Sequence, residues 1–175
     1  RNLVSEHSHE LGYGLSSDST AAGRWETDTG KEYMAAGVGT GIAGFRAGLG
    51  IIDDPVASRE DADSERSRNK TWDWYNDDFA NRLTPGALEL IIMTRWHEDD
   101  LAGRLIARDD GVPTHVLSLP AIAGEDDALG RKPGEWLWEG EYGYAQRLRE
   151  KKAAYDAAGD KRSWASMFQQ NPVPD

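Results

Sequence analysis

The sequence predicts an α/β fold in which a mostly parallel sheet is flanked by helices. Two short runs, GLGII at residues 48–52 and ALELIIM at residues 87–93, are apolar almost throughout, as expected for strands of a parallel sheet. Helical spacing follows each run. The resulting order of strand, helix, strand, helix is typical of α/β domains.

The composition excludes several classes of site and partner. At 175 residues, the chain has the length of one domain with a real core. Its formal net charge of -11 argues against a surface built mainly to hold phosphate backbones, because DNA affinity comes largely from Lys and Arg. Since cysteine is absent, disulfides and thiolate metal sites are excluded. No apolar run approaches the roughly 20 residues that span a bilayer, so we predict no membrane partner.

Two features are predicted before the first apolar run. Residues 25–27 lead into the turn-forming sequence DTGK and residues 33–34 lead out of it, which predicts a hairpin. Residues 3–5 predict a short strand less strongly, because the surrounding sequence is weakly patterned.

A glycine-rich connection follows the hairpin. Gly39, Gly41 and Gly44 have the spacing of a dinucleotide-binding loop. Such a loop must open a helix, and too few residues lie between Gly44 and the next strand for a crossover of roughly ten or more residues. The other phosphate-binding pattern, G-x-x-x-x-G-K-[ST], occurs nowhere in the chain. We therefore interpret the segment as a turn.

Each apolar run leads into a predicted helix. After Pro55, Ser58 followed by Asp61 resembles a capping box. Four apolar side chains then recur at helical spacing, and these are Trp72, Tyr75, Phe79 and Leu83. After the second run, HEDDLAGRLIAR at residues 97–108 carries acids first and arginines later, as the helix dipole favours.

Three further elements are predicted toward the C-terminus. The sequence THVLSLPAIA, residues 114–123, predicts a third strand. A helix is predicted from about Tyr144 to Ala158, and a short one from about Trp164 to Phe168. An extended exit follows.

Asp53 and Asp54 directly follow the first strand and form the first candidate site. Ligands of open α/β sheets gather beyond the carboxyl ends of the strands, and two adjacent carboxylates invite a cation that offsets their charge. In a nucleotide-hydrolysing site, the first acid holds Mg²⁺ and the second orients and deprotonates the attacking water. On this dipeptide alone the plainer interpretation is preferred, in which Asp-Asp-Pro stops the strand and caps the next helix.

A second strand end repeats this arrangement with Thr94 and Arg95. If the two strands are neighbours, Thr94 and Asp53 emerge side by side at one sheet edge. A hydroxyl there can sense a γ-phosphate, and an arginine can stabilise charge or lock a loop. Each residue also has a plain alternative, as a strand end or a salt-bridge partner. Asp99 and Asp100 are interpreted as compensating the helix dipole.

Five segments together resemble the large subunit of the tailed-phage terminase, the ATP-driven motor that packages DNA. They are, in order, GVGTGIAGFRAGLGIIDDP, WDWY, IIMTRWHEDDLAGRL, EWLWEGEY and MFQQNPVP. The resemblance extends from about Trp25 to the C-terminus. Its most specific element is TRWHEDDLAGRL.

The resemblance implies a P-loop NTPase-like fold with ATP and Mg²⁺ as cofactors, and it implies roles for individual residues. Asp53 resembles the Walker B aspartate that binds Mg²⁺. Asp54 resembles the catalytic acid that activates water, where many such motors have glutamate. Thr94 lies at the coupling motif, and the resemblance assigns it both a catalytic and a nucleotide-binding role. Arg95, a further catalytic candidate, and Arg46 are alternative arginine fingers with nothing to choose between them.

The resemblance further implies that the chain is one part of a motor. Residues 1–160 would be the half of the ATPase domain that carries Walker B and the coupling motif, and residues 161–175 would begin the linker toward a nuclease domain. Because the Walker A loop is not in this sequence, the isolated chain is expected not to hydrolyse ATP. The implied partners are double-stranded DNA, the portal protein, the small terminase subunit and further copies in a ring. The implied location is the host cytoplasm, with transient docking on the procapsid.

Other functions stay open on the sequence. A metal-dependent nuclease could use Asp53, Asp54 and a third carboxylate around two metal ions about 3.5 to 4 Å apart. A non-catalytic docking module is also possible. Another P-loop motor, such as a helicase, would share the strand-end acid but not TRWHEDDLAGRL.

Overall fold

The computed structural model describes residues 2–17, 21–140 and 143–173. The last two residues of EWLWEGEY, the last residue of MFQQNPVP and the final residue of the expected linker lie outside the described residues. The chain divides into two compact units, residues 1–44 and residues 45–175. No helix in the described ranges is long and apolar enough to cross a membrane.

The fold is mixed α/β, with a small parallel sheet flanked by helices in the second unit. The strands are β1 (Arg24–Glu26), β2 (Glu32–Met34), β3 (Ala47–Asp53) and β4 (Leu83–Ile92). The α-helices are α1 (Asn2–Glu6), α2 (Ser8–Leu11), α3 (Arg59–Asp63), α4 (Glu65–Trp74), α5 (Leu101–Ala107), α6 (Tyr144–Ala158) and α7 (Lys161–Ser163). Shorter helical turns are two π-helical segments, Tyr75–Phe79 and Trp164–Phe168, and one 3-10 turn, Ala80–Arg82.

The predicted hairpin is confirmed in the first unit. Strands β1 and β2 pair antiparallel, with Trp25 opposite Tyr33. Their rings stack with centroids 4.8 Å apart, a cross-strand aromatic contact of the kind that stabilises short hairpins. Residues 3–5, the weak strand prediction, lie instead in α1.

Strands β3 and β4 form the parallel sheet that the sequence predicts. They pair in register from Leu49 opposite Leu88 to Asp53 opposite Ile92. Helices α3 and α4 connect the two strands, and Ser58 caps α3 by accepting a hydrogen bond from the Asp61 backbone at 3.1 Å. The unit is therefore a strand, helix, strand arrangement whose two strands end at the same edge.

One face of the sheet carries the main core. Ile52 packs there with Tyr75 and Phe79, which follow α4, and with Leu101 and Leu105 from α5. Trp72 and Leu83 are partly buried and also pack against this cluster. The four residues predicted on one helical face therefore meet in one core, but Leu83 is not helical, because it is the first residue of β4.

The opposite face of the sheet departs from the prediction. The continuous apolar runs predict strands that are buried on both sides, but alternate side chains are about half exposed or more. These are Leu49, Ile51, Leu88, Leu90 and Ile92. The reason is geometric: in the described part of the chain, the helices that pack on this sheet all lie on the Ile52 face.

The predicted third strand at residues 114–123 is wrong for most of its length. Residues 114–118 are exposed and unpaired, and pairing begins only with an isolated antiparallel bridge between Ile122 and Trp136. Strand propensity reflects packing against neighbouring strands. Among the described residues, no strand lies beside residues 114–118, so their β-forming sequence stays extended without a ladder.

A second cluster joins the C-terminal helices to this loop. Ala121, Leu137, Leu148 and Trp164 are its buried residues, and Phe168 packs on it with its ring stacked 4.8 Å from that of Trp164. The Ala121 backbone N–H also donates to the Phe168 carbonyl at 2.7 Å. The predicted helix at 144–158 and the short one at 164–168 are both confirmed.

We predict that Gly50→Ala destabilises the fold by about 1–3 kcal/mol, because overpacking forces core side chains to move. A Cβ at Gly50 would lie 2.6 Å from Cζ of Phe79 and 2.7 Å from Cδ2 of Leu83. Gly48 in the same strand has nothing within 4 Å of that position, so Gly48→Ala is the matched control. Urea unfolding of both variants tests the packing of Phe79 on the sheet, and equal midpoints would contradict it.

Candidate functional site

The two strands bring their carboxyl ends together, as the sequence predicts. Asp53 pairs with Ile92, and the Asp54 backbone N–H extends the ladder by donating to the Ile92 carbonyl at 2.9 Å. The Asp54 side chain then crosses to the other strand end, where Oδ1 accepts the Thr94 backbone N–H at 3.0 Å. Asp53, Asp54 and Thr94 therefore lie at one sheet edge.

The two neighbouring aspartates have different surroundings. Both are exposed, but among the described residues no hydrogen bond is formed to the Asp53 carboxylate, whereas Asp54 is held by Thr94. Asp54 also has a left-handed backbone with φ of 42°, which is uncommon for any residue but glycine and costs about 1 kcal/mol or more. Its bonds to Ile92 and Thr94 keep it in that conformation.

The loop after β4 is organised around Asp100. This side chain is only 1% exposed and caps α5 by accepting the Gly103 N–H at 2.8 Å. It also accepts Nε of Arg95 at 3.0 Å and the Trp96 N–H at 3.2 Å. A buried carboxylate with several charge-assisted donors fixes the path of the loop. The helix accordingly starts at Leu101, later than the predicted start at His97, because Asp100 is the capping residue.

Gly103 lets the loop approach α5 closely. A Cβ at this position would lie 1.8 Å from the Glu98 carbonyl oxygen, a backbone atom that cannot move away alone. The loop and the first turn of α5 are thus packed backbone to backbone.

Asp99 faces the helices and not the strand ends. Nη2 of Arg104 donates to it at 2.7 Å and Nε of Arg68 at 3.2 Å. The Arg104 bond is the largest cause that lowers the pKa of Asp99 to about 2, with Arg68 contributing in the same direction. Asp99 therefore ties α4 to α5, a structural role that the dipole interpretation of the sequence did not include.

The two arginines that the sequence offers as arginine fingers lie at opposite edges of the parallel sheet. Arg95 is at the edge that carries Asp53, and Asp100 holds its guanidinium. Arg46 immediately precedes β3, so the whole length of that strand, about 20 Å for seven residues, separates it from Asp53. Of the predicted residues, the structure brings together Asp53, Asp54, Thr94 and Arg95.

Two carboxylates and a hydroxyl at a strand edge suit a hard cation with oxygen ligands. Mg²⁺ is typically held by one or two protein carboxylates, together with water and substrate phosphates. Among the described residues, no group of three or more His, Asp or Glu side chains is arranged to hold a metal ion. Asp53 supplies one exposed carboxylate at the strand end.

Sequence reasoning missed two groups that shape the site. Asp100 is the centre of the second loop, and the motif DLAG, an acid three residues before a glycine at a helix start, is a signal that could have marked it as a cap. Arg59 contacts that loop from α3, and no local sequence pattern indicates this contact.

Comparison with known proteins gives no match, either to a family model or among curated proteins.

We predict that Asp54→Ala destabilises the chain by about 1–2 kcal/mol relative to Asp54→Asn. Asparagine keeps an oxygen for the Thr94 N–H and tolerates a left-handed backbone, whereas alanine does neither. Unfolding by urea measures the difference. Asp53→Ala is the control, and we expect it to stay within about 0.5 kcal/mol of the unsubstituted chain. Equal stability of the Asp54→Ala and Asp54→Asn variants would show that the Thr94 bond does not hold the loop.

We also predict that Asp99 contributes to acid unfolding. Its pKa of about 2 in the fold lies below the usual value near 3.8, so its contribution is present above that usual value and is lost as the pH falls through about 2. Asp99→Asn should therefore flatten the dependence of unfolding free energy on pH between about 4 and 2.

The measurement is the urea midpoint at several pH values across that window. Asp127, whose pKa is also lowered to about 2, mainly by Arg131, remains as an internal source of the residual slope. An unchanged slope after Asp99→Asn would contradict the role given to the Arg104 and Arg68 contacts.

Proposed function

We propose that this chain is part of an ATP-hydrolysing motor that packages double-stranded phage DNA into a procapsid. One observation carries the proposal. Asp53, Asp54 and Thr94, the residues that the terminase resemblance assigns to magnesium, to the attacking water and to coupling, meet at the carboxyl edge of one parallel sheet. Their alignment follows from strand pairing and is independent of the sequence resemblance.

Asp53 is the residue proposed to hold Mg²⁺. Its carboxylate is exposed at the end of β3, and no described group hydrogen-bonds to it. A magnesium ion held there would neutralise negative charge that develops on the phosphates of ATP during phosphoryl transfer. Asp53 would be its protein ligand.

Asp54 is proposed to act on the attacking water. Its Oδ1 is anchored by the Thr94 N–H, which leaves Oδ2 to orient a water molecule and to take its proton. Since aspartate is one methylene shorter than glutamate, the left-handed backbone of Asp54 offers a way to direct the shorter side chain across the sheet edge.

Thr94 and Arg95 are proposed to respond to the nucleotide. The bond between Thr94 and Asp54 makes the start of the second loop sensitive to any movement of the water-activating acid. Arg95 extends from the same loop, and its contact with Asp100 holds that loop as a unit with α5. Hydrolysis at the first strand end can thus reposition the second.

The remaining partners follow from the same proposal. The net charge of -11 supports a main DNA contact outside this chain, in other parts of the motor. The portal protein, the small terminase subunit and neighbouring copies in a ring are the proposed protein partners. The proposed location is the host cytoplasm, with transient docking on the procapsid.

In a polypeptide that joins this chain to a phosphate-binding loop, we predict that Asp53→Asn lowers ATP hydrolysis at least about 100-fold, because the magnesium ligand is lost. Asp54→Asn should lower hydrolysis by a similar factor while sparing nucleotide binding. The chain without such a loop should show no turnover. Steady-state phosphate release measures all three, and a G-x-x-x-x-G-K-[ST] pattern upstream of Arg1 in the reading frame would identify the loop.

Glu60→Gln is the matched control, since Glu60 is an exposed acid on α3 whose side chain has no hydrogen bond among the described residues. It should leave hydrolysis unchanged. Hydrolysis that survives Asp53→Asn would overturn the proposal. Metal-dependent cleavage of DNA that requires both Asp53 and Asp54, without ATP turnover, would favour the nuclease alternative.

A further inference from the structure

Arg59 lies between the candidate site and the C-terminal helices. It is the first residue of α3, and its guanidinium reaches the loop after β4, where Nη1 donates to the Trp96 carbonyl at 2.8 Å. The same group stacks over the Trp96 ring, with Cζ 5.0 Å from the ring centroid. Arg59 therefore holds Trp96 by both its backbone and its side chain.

The other side of the guanidinium contacts the C-terminal segment. Nη2 donates to Oγ of Ser166 at 2.9 Å, and Oγ of Ser163 lies at 3.5 Å. Ser166 is 1% exposed, and its hydroxyl in turn donates to the Ser163 carbonyl at 3.3 Å. A buried hydroxyl with both its donor and acceptor roles used is costly to leave unpaired. Ser166 is thus a specific acceptor for Arg59.

A second contact joins α3 to the C-terminal helices. Nη2 of Arg162, in α7, donates to Asp63 at the end of α3 at 2.9 Å. Helix α3 is consequently attached to the C-terminal helices at both of its ends, by Arg59 and by Asp63. It begins five residues after Asp54, so a short connection joins it to the two candidate acids.

The loop after β4 is equally constrained. The Trp96 N–H is bound by Asp100 and the Trp96 carbonyl by Arg59, so both sides of this residue are fixed. The planar guanidinium holds its two donating nitrogens at a fixed angle and stacks on the Trp96 ring, and a lysine ammonium on a flexible stem lacks this rigid fork.

We propose that Arg59 is a positioning residue that couples the Trp96 loop to the π-helical segment Trp164–Phe168. A displacement of either segment changes the geometry at Arg59 and is passed to the other. The use of this coupling in a motor rests on the proposed function, since it would carry a change at Asp54 and Thr94 to the C-terminal end of the unit. The coupling itself requires no nucleotide.

The test is a double-mutant cycle between Arg59 and Ser166, measured by NMR on the chain without nucleotide. Ser166→Ala removes the acceptor of Nη2. We expect it to shift the Trp96 amide and indole resonances and to speed exchange of the Trp96 amide about tenfold. In the Arg59→Lys background, the same Ser166→Ala change should leave the Trp96 resonances in place, because the link is already broken.

Arg66→Ala is the matched control, as Arg66 is on the neighbouring helix α4 and makes no hydrogen bond or ion pair among the described residues. It should leave the Trp96 resonances unchanged. The proposal fails if Ser166→Ala leaves Trp96 unchanged in a folded chain, or if its effect persists in the Arg59→Lys background. Arg59→Gln serves as a second variant if Arg59→Lys does not fold.

The outcomes are separable from those of the proposed function. If Asp53→Asn spares ATP hydrolysis while the cycle is non-additive, the motor proposal falls and the coupling stands. If hydrolysis depends on Asp53 while the cycle is additive, the coupling falls and the motor proposal stands.

Discussion

The parallel pairing of β3 with β4 is the constraint on which the rest of the second unit depends. The register places Asp53 opposite Ile92, and that single pairing determines where both following loops begin. A slip by one residue would turn Ile52 away from Tyr75, Phe79 and the α5 leucines, because successive side chains of a strand face opposite sides. The core and the candidate site are thus aligned by the same pairing, with the core fixing the register and the register fixing the site.

Strand order and loop position could be predicted from sequence because they follow from local patterns. Apolar runs, helical spacing and capping residues are each visible within a short stretch of sequence. The hairpin, both strands of the parallel sheet and helix α6 were predicted from such patterns and are confirmed. To predict that Asp53 and Thr94 lie close together, one further inference was needed, namely that neighbouring parallel strands end at the same edge of the sheet.

The errors come from interactions that no local pattern contains. Residues 114–118 have strand-forming side chains, but a strand also needs a neighbour, and the described chain provides none beside them. The exposed Ile51 has the same origin, since burial of a second face depends on another layer and not on the residue itself. The links made by Arg59 connect positions 37 and 107 residues apart, which spacing cannot reveal.

Two of the five Asp-Asp pairs in the sequence, Asp53–Asp54 and Asp99–Asp100, follow the strands of the parallel sheet, and their surroundings give them different roles. At Asp99 and Asp100 the carboxylate oxygens are occupied by arginines and backbone N–H groups, so their charge is already balanced within the fold. At Asp53 and Asp54 only one described contact, the Thr94 N–H, uses a side-chain oxygen. The remaining oxygens face solvent at a strand edge and retain the charge that a cation would balance. The proposed reaction is therefore assigned to Asp53 and Asp54 because their oxygens have lone pairs available, and not merely because two acids are adjacent. Asp99 and Asp100 have a structural role.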